Sequence, residues 1–124
     1  MGVDLLRAAG IDAGIITSEN SPIIRRRAEK LGLPEVHLGV KDKAEHVRTI
    51  LRKAGLSPGQ VAYIGDDVND LGAIRVIGGT GLTAAPHDAV PRILREVHHR
   101  CAAPGGQGAF REFADWIFAL RGVR

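Results

Sequence analysis

The chain predicts an α/β fold, a parallel sheet with helices on both faces, and three observations carry that expectation. Short apolar runs such as Ala13-Gly14-Ile15-Ile16-Thr17 and Val61-Ala62-Tyr63-Ile64-Gly65 alternate with segments of helical periodicity. Glycines stand where those helical segments should stop, at Gly10, Gly32 and Gly55. The run ending at Gly65 breaks off at three carboxylates, Asp66, Asp67 and Asp70, and sites in such folds lie at the carboxyl ends of strands. A chain of 124 residues is long enough to bury one core, so a single domain over 1–124 is expected.

The elements follow in order. Leu5, Leu6, Ala8 and Ala9 before Gly10 read as the end of a helix, and residues 13–17 as a buried strand. Ser21 precedes Pro22, a capping residue before a proline at the first helical position, so a helix is predicted over 22–31. Residues 36–38 make a second brief strand. Asp42 caps a helix over 43–54, in which Val47, Ile50, Leu51 and Ala54 follow helical spacing. Residues 61–65 form the third strand and 67–76 a short helix. A fourth strand is predicted over 81–84, a helical turn over 88–94 and a fifth strand over 97–101. Gly105 to Gly108 break the chain before a last amphipathic helix over 109–120.

Composition narrows the function classes. Hydrophobic residues make up 44% and charged residues 25%, ordinary for a globular protein, while aromatics are only 4%, so the core should be aliphatic. The net charge of +3 is dispersed, with no basic stripe interleaved with aromatics, which argues against nucleic acid as a partner. Arg25-Arg26-Arg27 lies in a helical pattern and reads as a solvated face. A single cysteine, Cys101, cannot form an internal disulfide and fits a reducing compartment. The first nine residues lack a signal-peptide pattern and no apolar run could span a bilayer, so a cytoplasmic protein without membrane partners is expected.

The acidic cluster carries the chemistry. Three carboxylates at the end of a buried strand repel one another unless a cation neutralises them, and hard oxygen ligands in such a loop suit Mg²⁺. Thr17-Ser18 at another strand end offers a hydroxyl and backbone N–H groups suited to a phosphate. Lys43 opens a helix and can set an ammonium against a phosphoryl oxygen and the carboxylates. Asp66 and Asp67 can equally act as caps of the following helix. His98 and His99 are neighbours on a strand and face opposite sides, which argues against joint ligation. His87 beside Asp88 reads as part of a capping loop. Phe113, Trp116, Ile117 and Leu120 repeat at helical spacing and read as core or subunit interface. Cys101, with no base placed beside it by the sequence, reads as packing.

Taken together, Thr17, Lys43 and Gly65-Asp66-Asp67-Val68-Asn69-Asp70 resemble the second, third and fourth motifs of the haloacid dehalogenase superfamily. Ile15 to Ser21, Arg27 to Gly32, Val61 to Asp67 and Gly105 to Glu112 are similar to its capless 3-deoxy-D-manno-octulosonate 8-phosphate phosphatases. They are equally similar to the phosphatase-like C-terminal module of some acylneuraminate cytidylyltransferases, with which residues 111–118 agree. The resemblance implies a three-layer α/β/α, Rossmann-like domain and Mg²⁺-dependent hydrolysis of a sugar-acid phosphate. It makes Asp66 a direct Mg²⁺ ligand supported by Asp67 and Asp70. Thr17 and Ser18 would hold phosphoryl oxygens, and Lys43 would stabilise transition-state charge. It also implies a homo-oligomer, a tetramer in the family and a dimer or tetramer here. Gln107 stands where the family often has Arg.

The family's Asp-x-Asp-Gly, which supplies the nucleophile and the general acid, does not occur in these 124 residues. The resemblance therefore implies a domain lacking the family's first strand and hairpin, inactive alone. Two explanations stand open: a piece of a longer enzyme, or a non-catalytic assembly or binding module associated with acylneuraminate cytidylyltransferase.

Overall fold

The computed structural model describes residues 6–33, 35–105 and 108–121, which fall into two compact units, 1–41 and 42–124. In the first unit, residues 6–8 form a helical turn, followed by β1 (Gly14–Ile16), α1 (Pro22–Leu31) and β2 (Glu35–His37). The strands pair in parallel, Ile15 opposite Val36. The Ser21 hydroxyl accepts from the Ile23 N–H at the start of α1, and Gly32 ends the helix in the left-handed region. These are the bounds that the serine, proline and glycine predicted.

The second unit comprises α2 (Lys43–Ala54), β3 (Ala62–Ile64), α3 (Leu71–Gly78), β4 (Leu82–Ala85), α4 (Pro91–Leu94), β5 (His99–Arg100) and α5 (Ala109–Arg121). Its strands are all parallel in the order β3-β4-β5. Leu71, Ile74, Ala85, Ala89 and Ile93 form its core, with Tyr63, Val90, Leu94 and Val97 packed against them. Each fully buried isoleucine contributes about 1.5–3 kcal/mol relative to exposure. The α/β class and the parallel pairing are as the alternation of apolar runs and helices predicted. Among the described residues no helix is long and apolar enough to cross a membrane.

Two expectations are corrected. The segment predicted as a helix from 67 to 76 is a 3-10 turn, Val68–Asp70, followed by a helix that runs on to Gly78. The turn is tighter because Asp70 is drawn back beneath the preceding loop, as described below. The fifth strand is confined to His99–Arg100, the two residues in register with Ala84 and Ala85 at the end of β4. In the last helix Phe113, Ala114, Ile117 and Phe118 are buried, while Leu120 is 56% exposed and so lies outside the core of this chain. Residues 1–5, Gly106 and Gln107 lie outside the described residues, and with them the start of the first helix and the Gln107 position.

Candidate active site

The acidic loop is built around Asp70. Its Oδ2 accepts hydrogen bonds from the backbone N–H groups of Asp66 (3.0 Å) and Asp67 (3.2 Å). Its Oδ1 accepts from Lys43 Nζ (2.9 Å) and from the Tyr63 hydroxyl (2.5 Å). Four donors on one carboxylate satisfy almost all its lone pairs. Lys43 and Asp70 are 7% and 4% exposed, so this is a buried ion pair, and Lys43 also reaches Asn69 Oδ1 at 3.5 Å. Burial alone would raise the Asp70 carboxyl; the hydrogen bonds from Tyr63 and Lys43 outweigh it and hold the group below the usual carboxylate range. Burial, then the bond to Asp70, push the Tyr63 hydroxyl far above its ordinary value, so tyrosine stays the donor.

The loop closes over that carboxylate because residue 65 is glycine: a Cβ there would lie 2.6 Å from Asp70 Cβ and 2.7 Å from its Cγ. Lys43 reaches Asp70 because α2 and α3 pack closely, a Cβ on Gly72 falling 2.9 Å from Ala44 Cβ. Asp42 sets the start of α2 by accepting from the Glu45 N–H.

Asp66 stands apart from this lock. Its N–H and C=O are engaged, the carbonyl accepting from Val90 N–H at 3.1 Å, while its carboxyl is exposed at the strand end. Partial desolvation, then the charges of Asp70 and Asp67, raise it above the usual carboxylate range despite Lys43 and its own N–H. A carboxylate disfavoured by its neighbours, offering hard oxygen in a loop that is already hydrogen-bonded, fits Mg²⁺. The Asp67 carboxylate accepts from the Val68 N–H at 2.7 Å and caps the 3-10 turn, as the capping alternative anticipated. Asp70 cannot serve as a direct ligand without giving up donors, so its part is to shape the loop.

Thr17 and Ser18 belong to the first unit. Thr17 follows β1, its N–H donating to His37 C=O and its C=O accepting from the Val40 N–H. Its Oγ1 accepts from the Glu19 N–H at 3.1 Å, which leaves the hydroxyl proton to donate. The sequence reading missed Tyr63 and the part of Asn69; two-residue spacing from Gly65 along the strand was the signal for Tyr63. It also missed that Cys101 has titratable neighbours, His99 and Glu112, a pairing visible as the i, i+2 spacing of His99 and Cys101.

An α/β unit with parallel strands and an acidic loop after a strand defines a class, and the chain belongs to the haloacid dehalogenase-like hydrolase family, whose sequence profile it matches over residues 2–78. Within that family it falls among the 3-deoxy-D-manno-octulosonate 8-phosphate phosphatase-like proteins. It is 35% identical over 122 residues to the 3-deoxy-D-manno-octulosonate 8-phosphate phosphatase KdsC of Haemophilus influenzae, covering 98% of this chain and 66% of the relative. The Yersinia pestis KdsC is 36% identical over 116 residues, covering 94% and 60%. The cobalt-bound Haemophilus influenzae enzyme superposes with a TM-score of 0.90 at 36% identity, over 98% of this chain and 69% of that one. The Moraxella catarrhalis phosphatase, solved with magnesium, phosphate and KDO, gives 0.88 at 30% identity, over 95% and 66%. The chain thus spans 60–66% of the length of these curated relatives.

Proposed function

We propose that this chain carries the metal-binding and charge-stabilising part of a Mg²⁺-dependent phosphatase acting on a sugar-acid phosphate of the 3-deoxy-octulosonate 8-phosphate or acylneuraminate 9-phosphate type. The observation that supports the reading is the division of labour in the acidic loop: Asp70 takes four donors and shapes it, leaving the Asp66 carboxyl outward and electrostatically disfavoured. Asp66 would be the direct ligand, with Asp67 assisting through its oriented loop. Bound there, Mg²⁺ supplies positive charge that stabilises a phosphoryl group in transfer. Lys43, held by Asp70, keeps an ammonium donor beside the loop, and Thr17 and Ser18 are the proposed donors to phosphoryl oxygens. The nucleophile is not supplied by an Asp-x-Asp-Gly within these residues, so the chain alone should not turn over. The same reading carries a cytoplasmic homo-oligomer.

Phosphate release from a panel of sugar phosphates, with Mg²⁺ and with EDTA, tests it. The expected result is no release by the 124-residue chain and Mg²⁺-dependent release once a relative's Asp-x-Asp-Gly segment is joined to it, lost on Asp66→Ala. EDTA-insensitive turnover, or full turnover by Asp66→Ala, overturns the assignment. A folded, joined protein that binds the sugar acids without hydrolysing them would instead be the binding module.

A further inference from the structure

His99 lies on β5 and Cys101 two residues on, so both side chains fall on one face of the extended chain. Glu112 approaches that face from the first turn of α5. One ligand atom from each of the three residues lies within 4.8 Å of the other two, and none of the three takes part in the acidic loop. We propose that His99, Cys101 and Glu112 form a second cation site, for a divalent metal of the Zn²⁺ class.

The donor set selects the metal. A thiolate and an imidazole suit borderline-soft cations and not Mg²⁺, and three protein ligands with a fourth position open to water is a recurrent zinc arrangement. The ligands are also oriented before any ion arrives. The His99 ring stacks on Trp116, with centroids 4.7 Å apart and planes 18° from parallel, and its Nε2 is 3.2 Å from Glu112 Oε2. Glu112 is fixed in turn by the N–H groups of Ala102 (2.9 Å) and Ala103 (3.0 Å), partners of the kind that steer ligating carboxylates.

A purely structural lock would account for Glu112 and His99 but not for the sulfur. The Cys101 thiol is buried and donates only a long, weak bond, 3.7 Å, to the Ala109 carbonyl. His99 and Glu112 remain partly exposed, which gives an ion a way in. Burial, with the Glu112 charge adding to it, pushes the thiol up to about 11, so loading transfers the thiol proton to solvent as the metal–sulfur bond forms.

Cobalt reports on such a site directly, because a thiolate ligand gives Co²⁺ a strong near-ultraviolet charge-transfer band that carboxylates cannot produce. Co²⁺ titrated into the metal-stripped chain, and into its Asp66→Ala variant, is expected to give that band at a single equivalent, with quenching of the only tryptophan, Trp116, and displacement by Zn²⁺. His99→Gln should weaken half-saturation by at least the roughly tenfold typical of disturbed metal sites. Zn²⁺ should raise the melting temperature of the wild type and not of Cys101→Ser, whose metal-free melt shows that it folds. Absence of the band, equal half-saturation in His99→Gln, or an equal Zn²⁺ shift in Cys101→Ser each overturns the proposal.

Discussion

Asp70 shows how one side chain converts an electrostatic difficulty into a rigid loop. Its carboxylate accepts from two backbone N–H groups, a buried ammonium and a phenol, so replacing one oxygen by an amide sets N–H against N–H. It also leaves the buried Lys43 without its charged partner. Asp70→Asn is therefore expected to cost about 3–5 kcal/mol, the penalty of stranding one member of a buried pair, read as a drop in the urea midpoint at unchanged slope. The pH dependence has a fixed sign. A carboxyl held below its ordinary value of 3.8 adds stability that is fully present above that value and is lost as pH falls through the folded-state value. Acid unfolding of the wild type should thus show a loss below about pH 4 that Asp70→Asn lacks; parallel acid profiles would contradict it. Asp66 has the opposite sign, since its raised carboxyl makes its charged form a net burden in the folded loop.

At the scale of elements, the helices were legible because their ends are chemical. Ser21-Pro22 and Asp42 open α1 and α2, and Gly32 and Gly55 close them in left-handed conformation, so both helices have the bounds the sequence predicts. Asp42→Ala should cost about 0.5–2 kcal/mol, a lost cap, in the same urea assay. The strands were legible only in position, because three-residue parallel strands carry no alternating pattern, and the start of α3 was misread because nothing local says that Asp70 turns inward. The site was legible as a set of acids, but not its hierarchy: which carboxylate is the ligand and which the scaffold depends on Lys43 and Tyr63, 27 and 7 residues from Asp70. The contact that delivers Lys43 is equally invisible in sequence. Gly72→Ala would place a Cβ 2.9 Å from Ala44 Cβ and push α2 from α3, an overpacking expected to cost about 1–3 kcal/mol. A double-mutant cycle with Lys43→Met should show coupling, because the two changes act on the same ion pair; additive effects would mean that helix spacing and the pair are independent.

For the whole molecule, the proposed Mg²⁺ site makes stability depend on metal concentration. A ligand that binds only the folded chain adds RT ln(1 + [L]/Kd), about 2.7 kcal/mol at a hundred times Kd. Mg²⁺ should therefore raise the melting temperature progressively, EDTA should reverse the rise, and Asp66→Ala should abolish it. The same substitution should leave metal-free stability equal or greater, because it removes one of several like charges while the four bonds to Asp70 persist. Those two responses separate a ligand from a scaffold: Asp70→Asn lowers metal-free stability, whereas Asp66→Ala removes only the metal-dependent increment. Protons compete with the metal for Asp66, whose carboxyl is raised, so the Mg²⁺ increment should fade as pH falls through the acid range, before the Asp70 pair is protonated. Calorimetric scans across Mg²⁺ concentration and pH measure both. An increment that survives Asp66→Ala would move the ligand to another carboxylate of the loop, and one that does not fade in acid would mean that the metal is held elsewhere.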